Sequence, residues 1–111
     1  MKTVYILNSE FMGKGNDELG YKLIGAFLKK VWSRKQKPEA IIFYNSGVKL
    51  LATGSMYLDA LHGLQDSGVD LIACGTCIDF YELSDKVEVG RVSGMEEIVD
   101  LTQTADSVIT I

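Results

Sequence analysis

Three observations predict a three-layer α/β/α fold on a mostly parallel, five-stranded sheet. Short apolar runs rich in Val, Ile and aromatic residues alternate with segments of helical periodicity along the 111 residues. The strand-sized runs end in Asn, Ser, Gly or Cys, residues that suit the turns leaving an open α/β sheet. The composition, 47% apolar with 11 Gly and 1 Pro, suits one domain with a core of its own and includes no low-complexity tract or internal repeat. Alternation of this kind implies right-handed crossovers and helices on both faces of the sheet. A single domain over residues 1–111 is expected.

The first strand is predicted at Val4–Leu7. Asn8–Asn16 follows as a polar loop containing Gly13-Lys14-Gly15, and Asp17 and Glu18 open a helix in which Gly20, Leu23, Ile24, Phe27, Leu28 and Val31 recur at helical spacing. Pro38 interrupts the chain before a second strand, Ala40–Tyr44, and Asn45-Ser46-Gly47 turns the chain at its C-terminal end. Val48–Leu51 reads as a short turn and Met56–Gln65 as a helix closed by Ser67-Gly68. The third strand, Val69–Ala73, runs into Cys74. Beyond Cys77 come a short helix through Leu83, a brief strand around Val87–Val92, a helix from Met95 to about Thr104 and a last strand, Val108–Ile111.

This order gathers the loops after the first three strands along one edge of the sheet, where open α/β folds hold ligands. Asn8, Asn45, Ser46, Gly47, Gly75 and Thr76 are therefore candidate pocket residues around the cysteines. Cys74-Gly75-Thr76-Cys77 holds the only two cysteines of the chain. A thiol reacts mainly as thiolate, and the amides of a following turn or helix start lower its pKa. Such a pair reads as redox or sulfur-carrying chemistry, with inert packing as the alternative. A structural zinc usually needs four N or S ligands, whereas the chain offers two thiols and His62, which lies in a helix and needs no ligand role. No metal or cofactor is expected. Gly13-Lys14-Gly15 lacks both the spacing of a Walker A loop and the three glycines of a dinucleotide fingerprint, and reads as a turn before a capped helix.

The net charge of -4 and pI near 4.9 argue against non-specific nucleic-acid binding. Lys29, Lys30, Arg34, Lys35 and Lys37 surround the end of the first helix, where cations complement the helix dipole; a docking patch for an acidic partner is the alternative. The apolar stretch near Met1 is too short for a signal peptide, and no run reaches membrane-spanning length. A cytoplasmic protein without membrane contact is expected, a compartment in which a close thiol pair is rarely a structural disulfide.

Three tracts in the same order, Met12-Gly13-Lys14-Gly15-Asn16-Asp17-Glu18-Leu19-Gly20, Asn45-Ser46-Gly47-Val48-Lys49-Leu50 and Cys74-Gly75-Thr76-Cys77-Ile78-Asp79-Phe80-Tyr81, closely resemble the DsrE-like domain of YedF proteins. The similarity extends through Val89-Gly90-Arg91-Val92 and Met95. It implies the DsrE/DsrF/TusD-like fold and a sulfurtransferase-like role in sulfur or selenium metabolism, with sulfur carried as a persulfide. By spacing to the motif that follows, the resemblance places Cys74 at the carrier position and makes Cys77 the accessory thiol. Two departures stand out: Tyr81-Glu82 replaces the Arg-Gly of many relatives, and Gly94-Met95 replaces the Asn-Met of YedF relatives. The resemblance further implies sulfur donor and acceptor proteins as partners, including a separate TusA-like protein because this chain has no room for that domain, and a homo-oligomer. The alternative function is a non-catalytic binding or assembly module of the same metabolism.

Overall fold

The computed structural model describes residues 1–111. Its order is β1 (Thr3–Leu7), α1 (Asp17–Ser33), β2 (Ala40–Phe43), a 3₁₀ helix (Asn45–Leu51), α2 (Leu58–Asp66), β3 (Asp70–Cys74), α3 (Gly75–Phe80), β4 (Arg91–Ser93), α4 (Met95–Thr104) and β5 (Ser107–Thr110). The five strands lie in the order β4-β3-β2-β1-β5, and every pairing is parallel. The predicted three-layer α/β architecture is therefore present, with a sheet parallel throughout.

Strand alternation sorts the side chains onto two faces. Leu7, Ile41, Phe43, Leu71 and Ala73 join Ile24 and Leu28 of α1, Leu61 and Leu64 of α2 and Ile78 of α3 in the larger core. Val4, Ile6, Ala40, Ile42, Ile72 and Cys74 form the smaller core with Ile98 of α4. The distribution follows from handedness: β1 to β4 advance in one direction, whereas the α4 connection runs back across the sheet to β5, which puts α4 on the opposite face.

The helix ends account for their sequence. Asn16 caps α1, its Oδ1 accepting the Leu19 N–H at 2.8 Å. Gly13-Lys14-Gly15 is the open turn ahead of that cap, with Gly13 at φ 81°. Lys30 lies in the last turn of α1, and with Arg34, Lys35 and Gln36 it rims an open groove of about 640 Å³ floored by Tyr5, Phe27 and Val31. This groove contains neither thiol.

Several predicted boundaries move. The turn at Asn45-Ser46-Gly47 and the short turn Val48–Leu51 are one 3₁₀ helix. The brief strand expected around Val87–Val92 is confined to Arg91–Ser93. Val87 instead makes an isolated antiparallel bridge to Ala52, Val89 is buried, and Gly90 turns the chain at φ 81° before pairing begins. Arg91 then ties β4 to its neighbours through ion pairs to Asp70 at 2.9 Å and Glu97 at 2.6 Å. Arg91, with help from the Ser93 hydroxyl, holds the Glu97 carboxyl down at about 2.

Helix α3 begins at Gly75, earlier than predicted, because the chain passes from β3 into the helix with no intervening loop. It ends at Phe80 with Tyr81 as its C-cap, followed by Glu82 at φ 56°, a left-handed conformation that costs a residue with a Cβ about 1–2 kcal/mol. Glycine pays no such penalty but loses more chain entropy on folding. Glu82→Gly is expected to stabilise the fold by about 0.5–1 kcal/mol, read as a higher denaturation midpoint with unchanged slope.

Candidate functional site

The two cysteines share one motif but not one environment. Cys74 is the last residue of β3, and strand parity turns its side chain toward α4, where it is buried against Ile72 and Ile98. Cys77 lies one helical turn further on and is only half-buried. With Asn45, Thr76, Phe80 and Tyr81 it lines a pocket of about 270 Å³. Of the two free thiols, Cys77 is the one that faces this opening.

The ends of β2 and β3 build the pocket. Parallel pairing sets Phe43 beside Ala73, so the residues following each strand emerge side by side. Asn45 adopts φ 52°, and in this setting its backbone N–H donates to Cys77 Sγ at 3.0 Å. Asn45 Oδ1 accepts from the Ser46 N–H at 2.8 Å and from the Tyr81 hydroxyl at 3.0 Å. Lys49, one turn along the 3₁₀ helix, places its Nζ 4.5 Å from the centroid of the Tyr81 ring, a cation–π contact. Phe80, 78% exposed, forms an apolar lip.

The other expected pocket residues take supporting places. Ser46 Oγ accepts the Glu10 N–H at 3.2 Å and so links the loop after β1 to the loop after β2. Gly47 is buried against the Leu7 carbonyl, Gly75 starts α3, and Asn8 is exposed. None of these four lines the pocket, whereas Asn45 and Thr76 do. Sequence reasoning missed Phe80, Tyr81 and Lys49. The four-residue spacing from Cys77 to Tyr81 was the signal that puts both on one face of a helix. His62 is exposed on α2, and no group of three or more His, Cys, Asp or Glu side chains is arranged to hold a metal.

Burial pushes the Cys77 thiol above its ordinary pKa, and the neighbouring Cys74 pushes it the same way, while the Asn45 N–H opposes both. At neutral pH the thiol is therefore mainly protonated, yet a thiolate formed from a weaker acid is the stronger nucleophile. Alkylation of Cys77 should reach half its limiting rate at a pH above that of a free cysteine. Cys74→Ser should lower this midpoint. A wild-type midpoint below the free-cysteine value would contradict the dominance of burial.

The sequence pattern of the DsrE/DsrF-like family matches residues 1–111. Among solved structures, the fold is similar to the ychN protein from E. coli, with a TM-score of 0.69 at 16% identity over 100% of both chains. It is also similar to MTH1491 from Methanobacterium thermoautotrophicum, a protein of unknown function, with a TM-score of 0.73 at 20% identity over 99% of this chain and 98% of the other. A third similar structure is BT1422 from Bacteroides thetaiotaomicron, a conserved protein of unknown function, with a TM-score of 0.68 at 16% identity over 99% and 95%. No curated protein matches the chain. No helix is long and apolar enough to cross a membrane.

Proposed function

The chain belongs to the DsrE/DsrF-like family, and from that premise we propose that it is a sulfur-relay protein whose Cys74/Cys77 pair carries sulfur as a persulfide. The observation that carries this reading is a free thiol, Cys77, opening onto a pocket with a backbone N–H aimed at its sulfur. In the loading step the Cys77 thiolate attacks the outer sulfur of a donor persulfide, R–S–SH. The new S–S bond gives Cys77–S–SH as the donor's S–S bond breaks, and the electron pair leaves on R–S⁻. An acceptor thiolate then attacks the outer sulfur and restores the Cys77 thiolate.

The resemblance favours Cys74 as the carrier, whereas access favours Cys77, because an incoming donor meets Cys77 first. Cys74 then serves as the second thiol: its thiolate attacks the inner sulfur of Cys77–S–SH, expelling HS⁻ and closing a Cys74–Cys77 disulfide. A thiol reductant must reopen that disulfide before another cycle.

The donor and acceptor are proteins presenting a persulfide and a thiol, and a TusA-like polypeptide fits either role. The exposed Phe80 lip supports docking by an apolar surface. Incubation with a cysteine desulfurase and cysteine should add sulfur to the intact protein, removable by dithiothreitol. Absence of the adduct, with iodoacetamide showing that the thiols are free, would favour the alternative reading of a non-catalytic assembly module.

A further inference from the structure

Loading places negative charge beyond the atom that the pocket is built to contact. In the free protein the Asn45 N–H meets Cys77 Sγ. In the loaded protein the charge resides on the outer sulfur, one S–S bond of about 2.0 Å beyond Sγ. A second donor is then required, because an anion in a partly closed pocket is costly without one.

Tyr81 has the position and the means. It follows Cys77 by four residues and caps α3, so both side chains leave the same side of that helix. Both line the pocket, and both bond to Asn45, Cys77 Sγ to its N–H and the Tyr81 hydroxyl to its Oδ1. Rotation of the phenolic O–H away from Asn45 leaves Oδ1 satisfied, since the Ser46 N–H still donates to it at 2.8 Å. A neutral hydrogen bond is thereby exchanged for a charge-assisted one, which is roughly twice as strong. Lys49 sits over the same ring and adds positive potential on this side of the pocket. Thr76, the other hydroxyl at the site, adjoins Cys77 in sequence, and adjacent helix positions do not face each other.

We infer that Tyr81 is a catalytic residue that donates its phenolic hydrogen bond to the outer sulfur of the loaded Cys77. The step transfers no atom or electron; it holds the terminal sulfur as –S–S⁻ until an acceptor arrives. The inference rests on the persulfide reading, and one experiment separates their fates. Wild-type protein, Tyr81→Phe and Lys49→Met are loaded with glutathione persulfide, and iodoacetamide alkylation is followed across pH by intact mass in both the free and loaded states.

The expected result is an upward shift of about one pH unit in the alkylation midpoint of the loaded sulfur in Tyr81→Phe, as the loss of one hydrogen bond to a charged group implies. A smaller shift in the same direction is expected for Lys49→Met, and the free-state midpoint of Tyr81→Phe should change much less than its loaded one. Loaded profiles that coincide with wild type would overturn the inference while leaving the carrier reading standing. Equal shifts in both states would also overturn it, showing that Tyr81 acts only by positioning Asn45. Failure of the wild type to load would remove the persulfide reading and the Tyr81 assignment together.

Discussion

Cys77→Ser is expected to reduce sulfur loading to the level of a protein lacking both thiols, because serine cannot supply a thiolate and the remaining Cys74 is only 2% exposed. Donor attack needs an open approach to sulfur, and the packing of Cys74 against Ile72 and Ile98 denies it one. Cys74→Ser should still load. Its persulfide should also persist longer than in wild type, since no second thiol remains to expel HS⁻ and close the disulfide. Intact-mass time courses of the two single variants distinguish these behaviours. Loading retained in Cys77→Ser and lost in Cys74→Ser would reverse the proposed order of the thiols and restore the order implied by the family resemblance.

The second large effect is structural. Gly47→Ala should destabilise the protein by about 3 kcal/mol, at the upper end of overpacking costs. A Cβ at Gly47 would sit 2.2 Å from the Leu7 carbonyl oxygen and 3.1 Å from its carbon. The obstacle is backbone at the end of β1, and that oxygen also accepts the Tyr44 N–H, so it cannot yield cheaply. The 3₁₀ helix must move instead, and Asn45 moves with it. Gly47→Ala should therefore also change the alkylation profile of Cys77, which lies beyond α2 and β3 in the chain. Urea unfolding measures the first effect; a loss below about 1 kcal/mol would mean that the loop relaxes without strain.

Periodicity made the architecture legible. Leu23, Ile24, Phe27, Leu28 and Val31 announced α1, and the apolar runs before Asn45 and Cys74 announced β2 and β3, because a strand covered on both faces needs continuous apolar residues. The edge strand β4 was less legible. Its exposed Arg91 and Val92 carry no core pattern, and the apolar Val87 and Val89 that drew the strand too early are a bridge residue and a core residue instead.

At the site, sequence alone put the loops after β1, β2 and β3 on one edge of the sheet, of which those after β2 and β3 line the pocket beside Cys77, but it could not assign access to the thiols. That depends on whether a loop separates β3 from α3. With none, Cys74 remains bound by strand parity and points into the core, whereas Cys77 returns to the rim a turn later. The pairing of Tyr81 with Lys49 remained illegible for a related reason. Their contact joins α3 to the 3₁₀ helix, and the 3₁₀ geometry around Asn45 and Lys49 has no distinct apolar period.

The most direct test of the account is fragmentation mass spectrometry of the Cys74–Cys77 peptide from wild-type protein loaded by a cysteine desulfurase and blocked with iodoacetamide. The extra sulfur is expected on Cys77, with Cys74 carrying none. Sulfur on Cys74 alone would contradict the assignment of the accessible thiol as the point of entry.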